Sequence, residues 1–224
     1  MKKLNIKINW RYITGEFLIV VVGIVTAFQL NSCKEDRKNA ELLSEYLEDL
    51  RVGLNTDSIF YGNSAVFFDQ VVDQIDSAQY FIQNDSLSLP KAGQRALRGF
   101  SSWYRLYISN AAFEDLNNAG RLNLIKDKEL RYELISYYQY IDFLRSLEDS
   151  YTKSLGRMQE NLLERLELSN KEIPLEIKPA DVPLILNYLN QKRTYVRSYL
   201  SHRKTCHEIS ISIRKMILER PAAS

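Results

Sequence analysis

The sequence predicts an all-α protein: an N-terminal transmembrane helix, then an elongated antiparallel helical bundle with coiled-coil-like long helices. Three observations predict it. An apolar run, residues 17–30 (FLIVVVGIVTAFQL), follows a basic start. Beyond it, apolar residues recur at steps of three and four over long stretches. The 224 residues include only 8 Gly and 5 Pro, which argues against a loop-rich or β architecture. The chain divides into a cytoplasmic tail with its anchor, residues 1–32, and a helical bundle domain, residues 33–224.

The apolar run is short for a bilayer span. Extended back to Ile13 it reaches about 27 Å at ~1.5 Å per residue, enough for a thin membrane. Trp10 and Tyr12 fall where an interfacial aromatic belt belongs. Glu16, about one turn from the basic end, can reach the headgroups or pair with Arg11. The same segment also admits an interfacial helix or a cleaved signal. Lys2, Lys3, Lys7 and Arg11 precede it, whereas Lys34, Arg37 and Lys38 follow it among acids. That balance favours an amino terminus in the cytoplasm, with the rest outside the cytoplasmic membrane.

Two alternatives attach to this region. Leu30-Asn31-Ser32-Cys33 is similar to a lipoprotein cleavage box, which would leave a lipid on Cys33. Gly23 and Ala27 form a small-xxx-small pair, a possible packing face for a second helix.

From Lys34 to Asn84, Leu43, Leu47, Leu50, Leu54, Phe60, Phe67, Val71, Ile75, Ala78 and Ile82 form one stripe. Asn55-Thr56-Asp57 offers a break and a new cap within it. A helix is expected over residues 91–107, with Ala92, Ala96, Phe100 and Tyr104 on one side. Lys91, Arg95, Arg98 and Arg105 make its other face basic, read as solvated or paired with acids, and otherwise as an anion site. A short helix over 110–119 ends at Gly120, and Asp127 caps the next.

That next helix is the clearest. Leu130, Leu134, Tyr137, Ile141, Leu144, Tyr151, Leu155, Met158, Leu162 and Leu166 keep a heptad rhythm from Lys128 to about Leu168. Pro174, Pro179 and Pro183 mark a loop. A final helix over 181–219 carries Leu186, Leu189, Val196, Leu200, Ile209, Ile213 and Ile217. Long helices joined by short breaks make a bundle.

Little chemistry is on offer, and no catalytic, cofactor-binding or metal-binding residue is assigned. His202 and Cys206 share a helical face at a metal-capable spacing, but no further ligand cluster accompanies them. They read as an exposed histidine and a small core residue. Adjacent Cys206 and His207 point about 100° apart and form no nucleophile–base pair. Glu114-Asp115 and Glu148-Asp149 read as solvated faces. Tyr132, Tyr137, Tyr138 and Tyr140 read as core and rim packing, otherwise as a ligand platform. No glycine loop cradles a phosphate. A net charge of +2 gives no electrostatic case for nucleic acid. Two cysteines indicate no disulfide framework.

Residues 12–39 (YITGEFLIVVVGIVTAFQLNSCKEDRKN) and 112–131 (AFEDLNNAGRLNLIKDKELR) resemble a bacterial membrane-anchored family of unknown function. The shared positions are Gly15, Glu16, Gln29 and Asn31, then Gly120, Leu122, Ile125 and Leu130. The family pattern has an aromatic at Cys33. The resemblance implies a single-pass protein of long helices and implies no activity. The expected function is a non-enzymatic interaction or scaffold module of the cell envelope, with the bilayer and a protein partner or second copy as its contacts. The alternative is an extracytoplasmic sensing bundle that signals through a membrane partner. A buried polar cavity would favour sensing; a long exposed apolar stripe would favour scaffolding.

Overall fold

The computed structural model describes residues 10–84, 88–89, 91–97, 104–165 and 175–219. The first element is one helix, α1, Trp10–Gln83, of 74 residues. At ~1.5 Å per residue it is about 110 Å long. The sequence divides this segment between an anchor and a bundle at residues 32–33 and offers an interruption near Asn55-Thr56-Asp57. The helix is continuous through both places, so the offered interruption is not made. No proline interrupts the segment, and Thr56 Oγ1 donates to the Val52 carbonyl at 3.1 Å within the helix. The Asp57 carboxylate takes a partner on another helix instead of capping its own. The division between residues 32 and 33 therefore falls inside unbroken helix.

The descending connection is short elements. Helix α2, Lys91–Leu97, ends earlier than the expected 107, because residues 104–110 have no regular secondary structure. Arg95 and Arg105 are exposed but do not share a helix face, and Arg98 and Phe100 lie outside the described residues. Helix α3, Ala111–Asn118, closes at Gly120 with φ +67°. There Gly120 N–H donates to Asn117 O at 3.0 Å and Arg121 N–H to Leu116 O at 2.9 Å, the paired bonds of a Schellman turn.

A 3₁₀ turn over Leu122–Leu124 leads into α4, Lys128–Arg165. Asp127 Oδ1 accepts from the N–H groups of Glu129 (2.8 Å) and Leu130 (3.1 Å), the expected N-cap. Residues 166–168 lie outside the described residues, as does Pro174. Two-residue strands β1 (Ser88–Leu89) and β2 (Leu175–Glu176) pair antiparallel, tying the loop after α1 to the loop after α4. Pro179 opens a 3₁₀ turn, and α5, Val182–Leu218, follows. Pro183 sits in its first turn, where a missing N–H costs no helical bond.

Three long helices enclose a larger and a smaller apolar cluster, each lined by all three. On α5, His207 and Asn190 meet Ser58 and Gln79 of α1, while His202 and Tyr195 meet Tyr140 and Ser154 of α4. Thus α5 runs antiparallel to both, and α1 and α4 run the same way. Fully buried aliphatic and aromatic residues line each seam: Leu50, Leu54 and Phe68; Leu134, Ile141 and Leu144; Val196, Tyr199 and Ile213. Phe60 and Phe67, expected inside, are half-buried flanks, while Tyr61 and Ser64 take the centre. The described residues are helical apart from the short ladder, the 3₁₀ turns and the connections between elements.

Candidate functional site

The seams are not wholly apolar. Near the middle of the core, Glu148 on α4 is 7% exposed and Arg203 on α5 is 1% exposed. The expectation that Glu148-Asp149 is a solvated pair is corrected for Glu148, whose partners pull it inward; Asp149 is exposed. Glu148 Oε2 accepts from Tyr199 OH at 2.6 Å and from the Leu106 backbone N–H at 2.9 Å. Arg203 Nη2 stands 3.8 Å from the same oxygen and donates to the Tyr104 carbonyl at 2.5 Å. Its guanidinium also lies over the rings of Tyr199 (4.7 Å), Phe68 (5.1 Å) and Phe60 (5.2 Å). Arg203 Nε and Nη1 have no hydrogen-bond partner among the described residues, so aromatic faces stand where water would.

These bonds explain how residues 104–110 hold without secondary structure. A backbone segment inside a protein must find partners for its N–H and C=O groups. Glu148 and Arg203 supply two, and Arg145 Nη2 donates to the Ile108 carbonyl at 3.1 Å. Charged side chains of α4 and α5 thereby clasp this irregular strap.

A second polar layer lies nearer the start of α4. Asp57 of α1, 2% exposed, accepts from Tyr137 OH at 2.9 Å. Tyr61 and the buried Cys206 thiol flank it. Burial raises the Asp57 carboxyl to about 6, partly countered by the Tyr137 hydrogen bond. Burial likewise pushes the Cys206 thiol up to about 11, which makes it a poor nucleophile at neutral pH. Lys192 on α5 is 4% exposed, donates to the Ala96 carbonyl at 2.9 Å and is lowered by burial to about 8.

The residues singled out from sequence fall apart as a site. Cys206 is a core residue, as expected. His202 is half-buried rather than exposed, because Nδ1 shares a hydrogen bond with Tyr140 OH at 2.6 Å and its ring meets Phe143. Among the described residues, no three His, Cys, Asp or Glu side chains gather as metal ligands. Asp115 accepts from Tyr46 OH, and Glu114 from Asn110. Tyr137 and Tyr138 are buried, Tyr140 is half-buried and Tyr132 is exposed, so the four form no platform.

Two surfaces complete the inventory. A groove of about 620 Å³ opens where α1 leaves its apolar segment, floored by Leu43, Leu47, Leu124, Leu130 and Ile217. The apolar segment itself is bare: Phe17, Ile19, Ile24, Phe28 and Leu30 are each at least 65% exposed. Within α1 an 18-residue window has mean hydropathy 1.7 and no burial, so the helix is long and apolar enough to cross a membrane. Cys33 lies inside the same unbroken helix and is exposed.

The sequence signal for the buried charges was present. In α4 the buried positions 134, 137, 141, 144 and 148 keep the step of three and four, and Glu148 sits on it. In α5, positions 189, 192, 196, 199, 203, 206, 210, 213 and 217 are all buried, and Lys192 and Arg203 occupy two of them. No family model, curated protein or solved structure matches the chain.

Proposed function

We propose that this chain is a single-pass protein of the bacterial cytoplasmic membrane. Its amino terminus lies inside, and residues 33–224 form an elongated antiparallel bundle with coiled-coil-like helices on the other side. Its work is non-enzymatic: it is an interaction or scaffold module of the cell envelope. One observation carries the reading. The exposed apolar segment and a seam of the packed core belong to one unbroken helix, α1, which runs from the proposed span directly into the domain. The family resemblance of residues 12–39 and 112–131 supports the same layout. A lipid anchor at Cys33 fits less well, since that cysteine stands within continuous helix.

The test is fractionation. The full chain should pellet with membranes and resist carbonate extraction, and removing residues 1–32 should release a soluble helical product. Equal behaviour of the two forms defeats the reading. Cys33→Ser should change the mass by no more than the exchanged side chain and leave the location unchanged; a product heavier by several kDa, from retention of residues 1–32 that are otherwise cleaved, supports the lipoprotein alternative.

A second reading, an extracytoplasmic sensing bundle, draws on the buried layers around Asp57 and Glu148–Arg203. Polar core layers weaken packing and give helices discrete alternative registers. A change in the exposure of a cysteine placed at Leu106, in response to an added envelope extract, would favour it over scaffolding.

A further inference from the structure

The strap that leads into α3 rests against all three long helices, yet residues 104–109 make no backbone–backbone hydrogen bond among the described residues. Exposure alternates along it. Tyr104, Leu106 and Ile108 turn toward the core, Arg105, Tyr107 and Ser109 face outward, and of these six Ile108 alone is buried. Its backbone is held by the three bonds from Glu148, Arg203 and Arg145. The Tyr104 ring adds contacts with Phe60 at 5.2 Å and Phe67 at 5.6 Å. The buried ion pair beneath is not closed. Arg203 Nη2 stands 3.8 Å from Glu148 Oε2, about 1 Å beyond a direct charge-assisted bond, because both groups are turned to the strap. Two further donors of that guanidinium, Nε and Nη1, have no acceptor among the described residues.

We infer that residues 104–110 are a latch that lifts as a unit while α1, α4 and α5 stay packed, with Glu148 and Arg203 as its two-position catch. With the strap seated, carboxylate and guanidinium are divided between each other and the strap's N–H and C=O groups. With the strap lifted, each loses a backbone partner. The planar guanidinium then meets the carboxylate as a fork and satisfies donors that the seated state leaves bare. Two discrete arrangements of one ion pair make an element bistable rather than loose. Little else opposes the motion. Lifting residues 104–109 exposes one buried side chain and two half-buried ones, whereas freeing a long helix opens a whole seam. The open state presents Phe60 and Phe67 of α1 beside the closed ion pair, an aromatic face with a charged centre that the seated strap conceals. The latch goes beyond both readings above and depends on neither, because it belongs to the packed domain.

The experiment is maleimide labelling of the detergent-solubilised full chain, read site by site by peptide mass spectrometry, in a Cys33→Ser background. Ile108→Cys reports the strap, and Cys206, fully buried on α5, reports opening of the helices. Without denaturant the Ile108→Cys site should react more than about tenfold faster than Cys206, and low denaturant should speed Cys206 alone. Equal rates, or the same denaturant dependence at both sites, overturn the latch. Leu106→Pro removes the N–H that Glu148 accepts from, whereas Leu106→Ala removes only side chain. Added to Ile108→Cys, Leu106→Pro should raise labelling there at least about fivefold over Leu106→Ala, with Cys206 unchanged. Equal effects of the two overturn the catch. The coupling between Glu148→Gln and Arg203→Met, from denaturant midpoints, should grow in the Leu106→Pro background as the pair closes. A coupling that is unchanged or smaller there overturns the two-position arrangement. Loss of helicity in Leu106→Pro would be seen by circular dichroism, and Arg145→Met, which frees the Ile108 carbonyl from the strap's outer side, then replaces it with the same expected outcomes.

Discussion

Tyr137 of α4 donates its hydroxyl to Asp57 of α1 at 2.9 Å, across a contact in which both side chains are buried. The bond joins the helix that carries the apolar segment to the helix with the strongest heptad pattern. It also leaves a carboxyl group in the core that is easier to protonate than in the unfolded chain.

Asp57 should therefore cost stability at neutral pH. Its folded value is about 6 against an ordinary 3.8, so the fold prefers the neutral acid. Below the ordinary value both states are protonated and nothing is lost. As pH rises toward 6 the unfolded chain ionises first, and stability falls; above that the full cost, up to about 3 kcal/mol, persists. Asp57→Asn should raise the melting temperature at pH 7.5 and leave it nearly unchanged at pH 4. Thermal unfolding of the detergent-solubilised chain at both pH values checks this. A variant that is less stable at pH 7.5 would show that the ionised carboxylate is favoured in the core.

Glu148 and Arg203 should behave as one unit. Removing either partner leaves the other buried without its counter-charge, at a cost of about 3–5 kcal/mol. Arg203→Met and Glu148→Gln should each destabilise by that order. The double variant should lose less than the two losses combined, by about 1–3 kcal/mol. Denaturant midpoints of the four proteins give the coupling directly. Strict additivity would mean that the strap over residues 104–110 holds by packing alone.

What was legible in the sequence was local. The Asp127 cap, the Gly120 turn and the buried positions of α4 depend on residues within one or two turns, and each stands where the pattern puts it. The continuity of α1 was not legible, because Asn55-Thr56-Asp57 has the residues of a cap, and only a tyrosine 80 positions away decides otherwise. The length of α2 failed for a similar reason: residues 104–107 have helical spacing, but Glu148 and Arg203 take their backbone groups. Glu148 was misread by residue type, although its position in the seam was visible.

Topology should follow the basic amino terminus. Glu160 is exposed on α4, far from the apolar segment. In a Cys33→Ser background, Glu160→Cys should react with a membrane-impermeant maleimide in intact spheroplasts, while buried Cys206 stays silent. Reaction only after lysis would place residues 33–224 in the cytoplasm and reverse the orientation.

The last prediction concerns α4, whose inward stripe is the strongest pattern in the chain. Leu134, Ile141 and Leu155 have no exposed surface, and the first two belong to the larger core cluster while Leu155 belongs to the smaller. Truncating a buried Leu or Ile to Ala loses its transfer energy and leaves a cavity, typically about 2–5 kcal/mol. Each of the three alanine variants should lower the denaturant midpoint of the chain by that order. Asp142 is exposed, and Asp142→Ala should change stability by less than about 0.5 kcal/mol apart from its surface pair with Arg145. Glu133, the neighbour of Leu134 on α4, is half-buried and is no clean control. The two clusters add a finer expectation. If they unfold as one unit, Leu155→Ala and Leu134→Ala shift the same transition. A separate early transition in Leu155→Ala alone would instead make the end of the domain near Ile185 and Leu189 an independent folding unit.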